Sequence, residues 1–406
     1  MTDIGTADEL MESASTLTGL SDFGSGSDGF TDGLQELLAS YSGDEELTPA
    51  GVKAARAQIR GALMARLAAE SAWSARPSHE SVAIERPIVV TGLPRTGTTA
   101  LHRLLVADPA HQGLELWLSQ VPQPRPPRST WPDDPMYQVI SASIVKHSVS
   151  RPEFLGVHEL GADQVEECWQ LLRQSLRSAA FECLAHLPSY SSWLASQDWV
   201  PAYERHRRNL QLIGSADADK RWVLKNPSHL FALDALLTVY PDALVIQTHR
   251  DPRTAIASAC SLADQATRGW SEVFTGEVIG RDQLELWARG LDEFRAARSR
   301  HDPSRFYDVG YGDFVTDPIA TVEAVYAHFG LELTPAAADA MRALIAADTA
   351  RRSGGAGGGD GGAEAEAGGP ASPPAHRYTL EEFGLSPRQV DERFARYLAD
   401  SGVRRT

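Results

Sequence analysis

Residues 86–105 read RPIVVTGLPRTGTTALHRLL, and this stretch decides the fold. A β-branched run, Ile88 to Val90, enters a turn spaced by Gly92 and Gly97, and Thr98 and Thr99 then open an apolar-periodic segment. That order predicts a strand over 87–91, an anion-binding loop and a helix over 98–106. In such a loop successive backbone N–H groups and the helix dipole converge on one spot, which suits a phosphate or sulfate group. The nucleotide triphosphatase pattern GxxxxGK[ST] places Lys after its second glycine, but Thr98 stands there and the base lies inside the loop as Arg95. The lysine that would reach a γ-phosphate is missing.

A second element strengthens the reading. Residues 244–258, LVIQTHRDPRTAIAS, put Arg250 at the end of a predicted strand and Ser258 about two turns into the helix that follows. Ligands of open α/β sheets bind at the carboxyl ends of the strands, so a cation and a hydroxyl there can hold a second anionic group. Around these residues the chain alternates strand and helix: RWVLK (221–225), SHLFALDALLTVY (228–240), ALVIQTH (243–249), RTAIASACSLADQA (253–266), RFYDV (305–309) and PIATVEAVYAHFG (318–330). The pattern predicts an α/β, P-loop-like three-layer fold, with a central parallel sheet flanked by helices.

The rest of the chain divides by composition. Residues 1–84 read as a helical N-terminal region packed on the core, with Thr48 as N-cap and Pro49 at the first position of a long helix. The α/β domain spans 85–352, with a mostly helical insertion over 136–214 whose clearest helix is expected over 163–187. The Pro-rich stretch 121–135 is expected as a surface loop. Residues 353–375 form a Gly/Ala-rich linker expected to be disordered, and 376–406 regain aromatics and periodicity as a docking segment.

A net charge of −16 argues against nucleic acid or an anionic membrane as partner. Cys168, Cys183 and Cys260 fit neither a disulfide framework nor a zinc site, and no metal is expected. An acidic N-terminus without a secretory signal pattern, and apolar runs shorter than the ~20 residues of a membrane helix, fit a cytoplasmic protein.

The two anion elements together, GLPRTGTTALHRLL (92–105) and WVLKNPSHLFALDALLTVYPDALVIQTHRDPRTAIAS (222–258), resemble the sulfotransferases that use 3′-phosphoadenosine 5′-phosphosulfate (PAPS), in particular their actinobacterial branch. Residues 17–24, 221–237 and 376–385 also read as family segments. The resemblance implies that Pro94, Arg95, Thr96, Gly97, Thr98 and Thr99 bind the 5′-phosphosulfate, that Arg250 and Ser258 bind the 3′-phosphate, and that Lys225 contacts the transferring sulfuryl group. Arg95 stands where Lys is commoner in the eukaryotic enzymes; a guanidinium can bridge two oxygens but does not give up a proton.

In that family a His or a carboxylate takes the acceptor proton. His158, His229 and the pair Glu166 and Glu167 are the candidates here, with His158 favoured; a carboxylate pair opening a helix equally suits the helix dipole. His376 or Arg377 could reach the 3′-phosphate, or simply belong to a docking segment. The aromatic residues Trp169, Trp193, Trp199 and Tyr190 suggest an apolar pocket for a small-molecule or lipid-like hydroxyl acceptor, less readily an amine, although core packing is the commoner fate of such residues. The alternatives are a P-loop kinase-like phosphotransferase, disfavoured by Thr98, and a non-catalytic nucleotide-binding protein of the same fold.

Overall fold

A computed structural model describes residues 4–150, 161–354 and 379–403. Its centre is a parallel five-stranded sheet: β1 (Ile88–Gly92), β2 (His111–Gln112), β3 (Arg221–Lys225), β4 (Leu244–His249) and β5 (Phe306–Gly310), in the order β2-β3-β1-β4-β5. β1 is flanked on both sides and fully buried, which explains its unbroken apolar run. Its side chains alternate between two cores. Val89 packs with Leu224, Val245 and Leu236 on one face, and Ile88 and Val90 pack with Leu101, Leu104 and Val322 on the other.

The sequence places the strands of this sheet to within a residue, except β2, whose two residues are too short to leave a period-2 signal. The register Val90↔Lys225 and Gly92↔Thr248 brings the ends of β3 and β4 level with the loop that follows β1.

The expected helix over 163–187 is replaced by short pieces, Trp169–Leu172 and Ala179–Glu182, joined through a 3-10 turn at Arg173–Ser175. The break lies at Leu176, whose φ of 52° belongs to the left-handed region, after which the Ser178 hydroxyl caps the next helix by accepting from Ala180 N. Leu176 and Phe181 are thereby turned into a second core with the N-terminal helices α1 (Ala7–Thr18), α2 (Phe30–Gly43) and α3 (Pro49–Ala75). The Pro-rich stretch also departs from a simple surface loop, because Trp131 is buried and T-stacked on Trp117 at 5.6 Å.

Thr48 caps α3 by accepting from Gly51 N, as its Thr-Pro pair predicts. Arg66, buried in α3, donates to Asp28 at 2.6 Å and to the Gln174 carbonyl at 3.1 Å, and Arg205 donates to the same Asp28 at 3.0 Å. Residues 379–403 pack Phe383, Val390 and Phe394 into the main core, and Arg253 pairs with Asp391. Phe383 lies so close to the helix Gly276–Arg298 that a Cβ on Gly280 would stand 2.0 Å from its carbonyl oxygen. Most of the linker 353–375, together with His158, His376 and Arg377, lies outside the described residues.

Candidate active site

The loop between β1 and α4 (Thr98–Val106) is shaped by close approaches that only glycine permits. Gly92 has φ 144°, and a Cβ on it would lie 2.5 Å from Thr248 Oγ1 and 2.6 Å from the Thr248 carbonyl oxygen. Gly97, with φ 91°, caps α4 and faces the Tyr311 ring, 3.1 Å from where a Cβ would stand. Between them Arg95 holds φ 69°, a left-handed conformation that costs a non-glycine residue free energy. Hydrogen bonds fix the turn: Thr96 Oγ1 donates to the Leu93 carbonyl at 2.6 Å and lies 2.6 Å from Thr248 Oγ1. A strained turn held this firmly leaves the N-terminus of α4 open for an anion.

Arg250 and Ser258 meet that loop directly. Arg250 donates to the Arg95 carbonyl oxygen at 2.9 Å, and Arg95 Nε donates to Ser258 Oγ at 3.1 Å. The Arg250 guanidinium lies 4.1 Å over the Tyr311 ring, a cation–π contact. Sequence reasoning passes over Tyr311, whose only signal is its place just after β5. On the C-terminal side, Tyr397 stacks on His249 at 5.6 Å, and its hydroxyl is 3.4 Å from the Arg250 carbonyl oxygen.

Across the loop, on the β3 side, Lys225 is 1% exposed and donates to Thr99 Oγ1 at 3.2 Å and to Glu167 Oε1 at 2.5 Å. Glu166 is also buried, and its carboxylate accepts from Glu167 N at 2.9 Å. Part of this set lines one cavity of about 570 Å³; Thr96, Ser258 and Lys225 are not in its wall and stand behind residues that are. Its polar wall includes Pro94, Arg95, Gly97, Thr98, Thr99 and Arg250, together with Glu167, Asn226 and Ser228. Its apolar wall includes Trp169, Leu184 and Leu262, with Trp287 from the helix Gly276–Arg298.

Not every candidate reaches this cavity. His229 does not line it: the turn Pro227–Phe231 carries the ring into a buried cluster, its Nδ1 2.7 Å from the Tyr203 hydroxyl and its ring edge-on to His206. Burial, with His206 beside it, pushes its basicity well below that of a free imidazole, so it is held neutral and remote from the loop. Of the four aromatic residues, only Trp169 lines the cavity; Tyr190 and Trp193 belong to the N-terminal core, and Trp199 packs at the junction of the two cores. Cys183 also lines the cavity, and burial near Glu182 and Glu167 raises its pKa well above the ordinary thiol value. It is therefore a protonated wall residue rather than a nucleophile.

The chain belongs to the sulfotransferase family, whose match spans residues 87–335 and so takes in the loop, Lys225, Arg250 and Ser258. Among solved structures it is similar to sulfotransferase STF1 from Mycobacterium tuberculosis H37Rv, with 51% identity, a TM-score of 0.87, and coverage of 97% of this chain and 100% of that one. It is also similar to sulfotransferase STF9 from Mycobacterium avium, with 28% identity, a TM-score of 0.84, and coverage of 100% of this chain and 98% of that one. Over 261 residues it is 30% identical to the omega-hydroxy-beta-dihydromenaquinone-9 sulfotransferase Stf3 of Mycobacterium tuberculosis; the match covers 62% of this chain and 64% of that relative's length. Among the described residues no helix is long and apolar enough to cross a membrane.

Proposed function

We propose that this protein transfers a sulfuryl group from PAPS to the hydroxyl of an apolar, lipid-like or aromatic acceptor, releasing adenosine 3′,5′-bisphosphate. The observation that carries the reading is the meeting, around one cavity, of the β1–α4 loop, Arg250, Glu167 and an apolar wall, with Ser258 and Lys225 bonded directly behind Arg95 and Glu167. The residues present fit such a donor, since Arg95, Thr98, Thr99 and Arg250 line the cavity at the N-terminus of α4 and offer cationic and hydroxyl donors to an anion. In this reading the loop N–H groups with Thr98 and Thr99 hold the 5′-phosphosulfate, and Arg250 with Ser258 holds the 3′-phosphate.

Arg95 neutralises charge that grows on the oxygen bridging sulfur and the departing phosphate, and Lys225 contacts the sulfuryl group. We assign the proton-accepting role to Glu167, because its carboxylate lines the cavity against Lys225 whereas His229 is sequestered. The assignment competes with His158, and turnover of the Glu167→Gln and His158→Ala variants separates the two. The acceptor oxygen then attacks sulfur in line, the bond from sulfur to the phosphate oxygen breaks with its electron pair staying on phosphate, and Glu167 receives the acceptor proton. A lipid-like acceptor is supported by the apolar wall and by the lipid named for Stf3.

Calorimetric titration with adenosine 3′,5′-bisphosphate, beside ATP with Mg²⁺, tests the reading. Tight binding of the bisphosphate alone supports it. Binding of ATP alone replaces it with a phosphotransferase.

A further inference from the structure

The cavity wall beside Lys225 contains two polar atoms that the mechanism above does not use. Asn226 is 1% exposed and Ser228 is 4% exposed, and both line the cavity. Asn226 Nδ2 and Ser228 Oγ are buried and have no hydrogen-bond partner among the described residues. The rest of Asn226 is fully engaged: its Oδ1 accepts from Ser228 N at 3.1 Å, its N–H donates to the Val90 carbonyl at 3.2 Å, and its carbonyl accepts from Thr91 Oγ1 at 3.0 Å. These bonds tie the turn after β3 to the end of β1, so the amide is held in place beside the anion loop.

Buried donors without partners are costly in a folded protein, and natural structures keep few of them. Other unpartnered atoms, such as His206 Nε2 and His229 Nε2, belong to residues of the aromatic core rather than of the cavity wall. We infer that Asn226 Nδ2 and Ser228 Oγ form a donor pair for a nonbridging oxygen of the transferring sulfuryl group. The inference rests on the sulfotransferase reading above. The chemistry selects the sulfuryl oxygens over the acceptor hydroxyl. Sulfuryl oxygens only accept hydrogen bonds, which two N–H and O–H donors complement, whereas the acceptor hydroxyl must give up a proton and needs the Glu167 carboxylate. Lys225, one residue earlier, supplies the charge that such a site requires, and donors fixed before the reaction stabilise the transition state without reorganising. No atom is transferred to the pair; it accompanies the sulfuryl group from phosphate oxygen to acceptor oxygen.

The test uses the full chain with Asn226→Asp and Ser228→Ala. Asn226→Asp keeps the Oδ1 acceptor that caps the turn but exchanges the donor for a charged oxygen, whereas Ser228→Ala removes only the hydroxyl and leaves the charge unchanged. In Ser228→Ala, binding of adenosine 3′,5′-bisphosphate, which lacks the sulfuryl group, should stay within about threefold of the unmodified protein and so also reports correct folding. PAPS affinity and turnover should both fall, turnover by about 100-fold for Asn226→Asp, in line with losses of single oxyanion donors, and by about tenfold for Ser228→Ala. Unchanged turnover and PAPS affinity in both variants would overturn the inference, as would equal weakening of PAPS and the bisphosphate in Ser228→Ala, which would make the turn a support for the cofactor loop. If the unmodified protein bound neither PAPS nor the bisphosphate, the sulfotransferase reading itself would fail, a distinct result.

Discussion

Replacing Glu167 by Gln separates the stabilising and chemical roles of the Lys225 pair. At 2.5 Å the two charges attract by about 7 kcal/mol for an effective dielectric near 20, before the desolvation of both groups is set against it. Lys225 is 1% exposed and Glu167 13%, so the lysine carries most of the desolvation penalty and loses its counter-charge when the carboxylate goes. Removing one partner of a buried pair typically costs about 3–5 kcal/mol. Gln still offers an oxygen to Lys225 Nζ, which puts the expected loss near the lower bound, about 3 kcal/mol. A domain with stability of the usual order, about 5–15 kcal/mol, stays folded after that loss. Urea unfolding at pH 7 reads it. Turnover should fall at least about 100-fold because the proposed proton acceptor is gone. Affinity for adenosine 3′,5′-bisphosphate should hold or rise, since an uncompensated ammonium now faces the anion site. Turnover within about threefold of the unmodified protein, or a loss of bisphosphate affinity as large as the loss of turnover, would refute the reasoning.

Arg250→Ala should weaken binding of adenosine 3′,5′-bisphosphate by about 10- to 100-fold, the range of a charge-assisted hydrogen bond, while leaving 5′-AMP nearly unaffected; equal losses in calorimetry would remove the 3′-phosphate role. Arg66→Ala strips Asp28 of a buried partner and should lower unfolding free energy by about 3–5 kcal/mol, read by urea melts, with cofactor affinity at saturating stability conditions unchanged. Stability should also depend on pH. Burial lowers the pKa of His102 and His206 to about 3 and that of His229 well below the ordinary value, so these rings bind protons only on unfolding. Their contribution is complete above about 6.5 and declines as pH falls, by up to about 1.4 kcal/mol per pH unit for each ring. Burial raises Glu293 to about 7, which acts in the opposite direction between 7 and 4.5. Unfolding free energy should therefore drop from pH 6.5 to 5, and drop more steeply in Glu293→Gln; a flat profile in both proteins would contradict the neutral burial of the rings.

What the sequence discloses and what it conceals follow from the range of the forces involved. β1, β3 and β4 are legible because a buried parallel strand is an apolar run between turn residues, a pattern written within five or six positions. The loop is legible for the same local reason: Gly92 and Gly97 take positive φ values, 144° and 91°, within one turn, although the neighbours they approach, Thr248 and Tyr311, are remote in sequence. The helix expected over 163–187 fails because its apolar residues serve two cores at once. Leu171 and Leu172 go to the main core and Leu176 and Phe181 to the N-terminal one, and a left-handed Leu176 redirects the chain between them. Periodicity counts apolar positions but does not say which body each one faces.

The site divides along the same line. Lys225, Arg250 and Ser258 are set by strand ends and helical spacing, and the geometry brings them around the loop as that spacing implies. Which candidate proton acceptor reaches the cavity is not set locally. His229 lies four residues after Lys225, and a regular helix starting there would leave it near the strand end. The capped 3-10 turn that begins at Pro227 instead presents Ser228 to the cavity and sends His229 to Tyr203, a residue of the helix Val200–Ile213. Glu167, distant in sequence, then arrives beside Lys225 because Cys168 N–H donates to the Lys225 carbonyl at 3.0 Å and anchors the insertion to the end of β3. This bond, with the Glu166 N–H donating to the Leu114 carbonyl at 2.8 Å, thus decides which carboxylate faces the β1–α4 loop, and inserting one residue between Glu166 and Cys168 should abolish turnover while sparing bisphosphate binding to that loop.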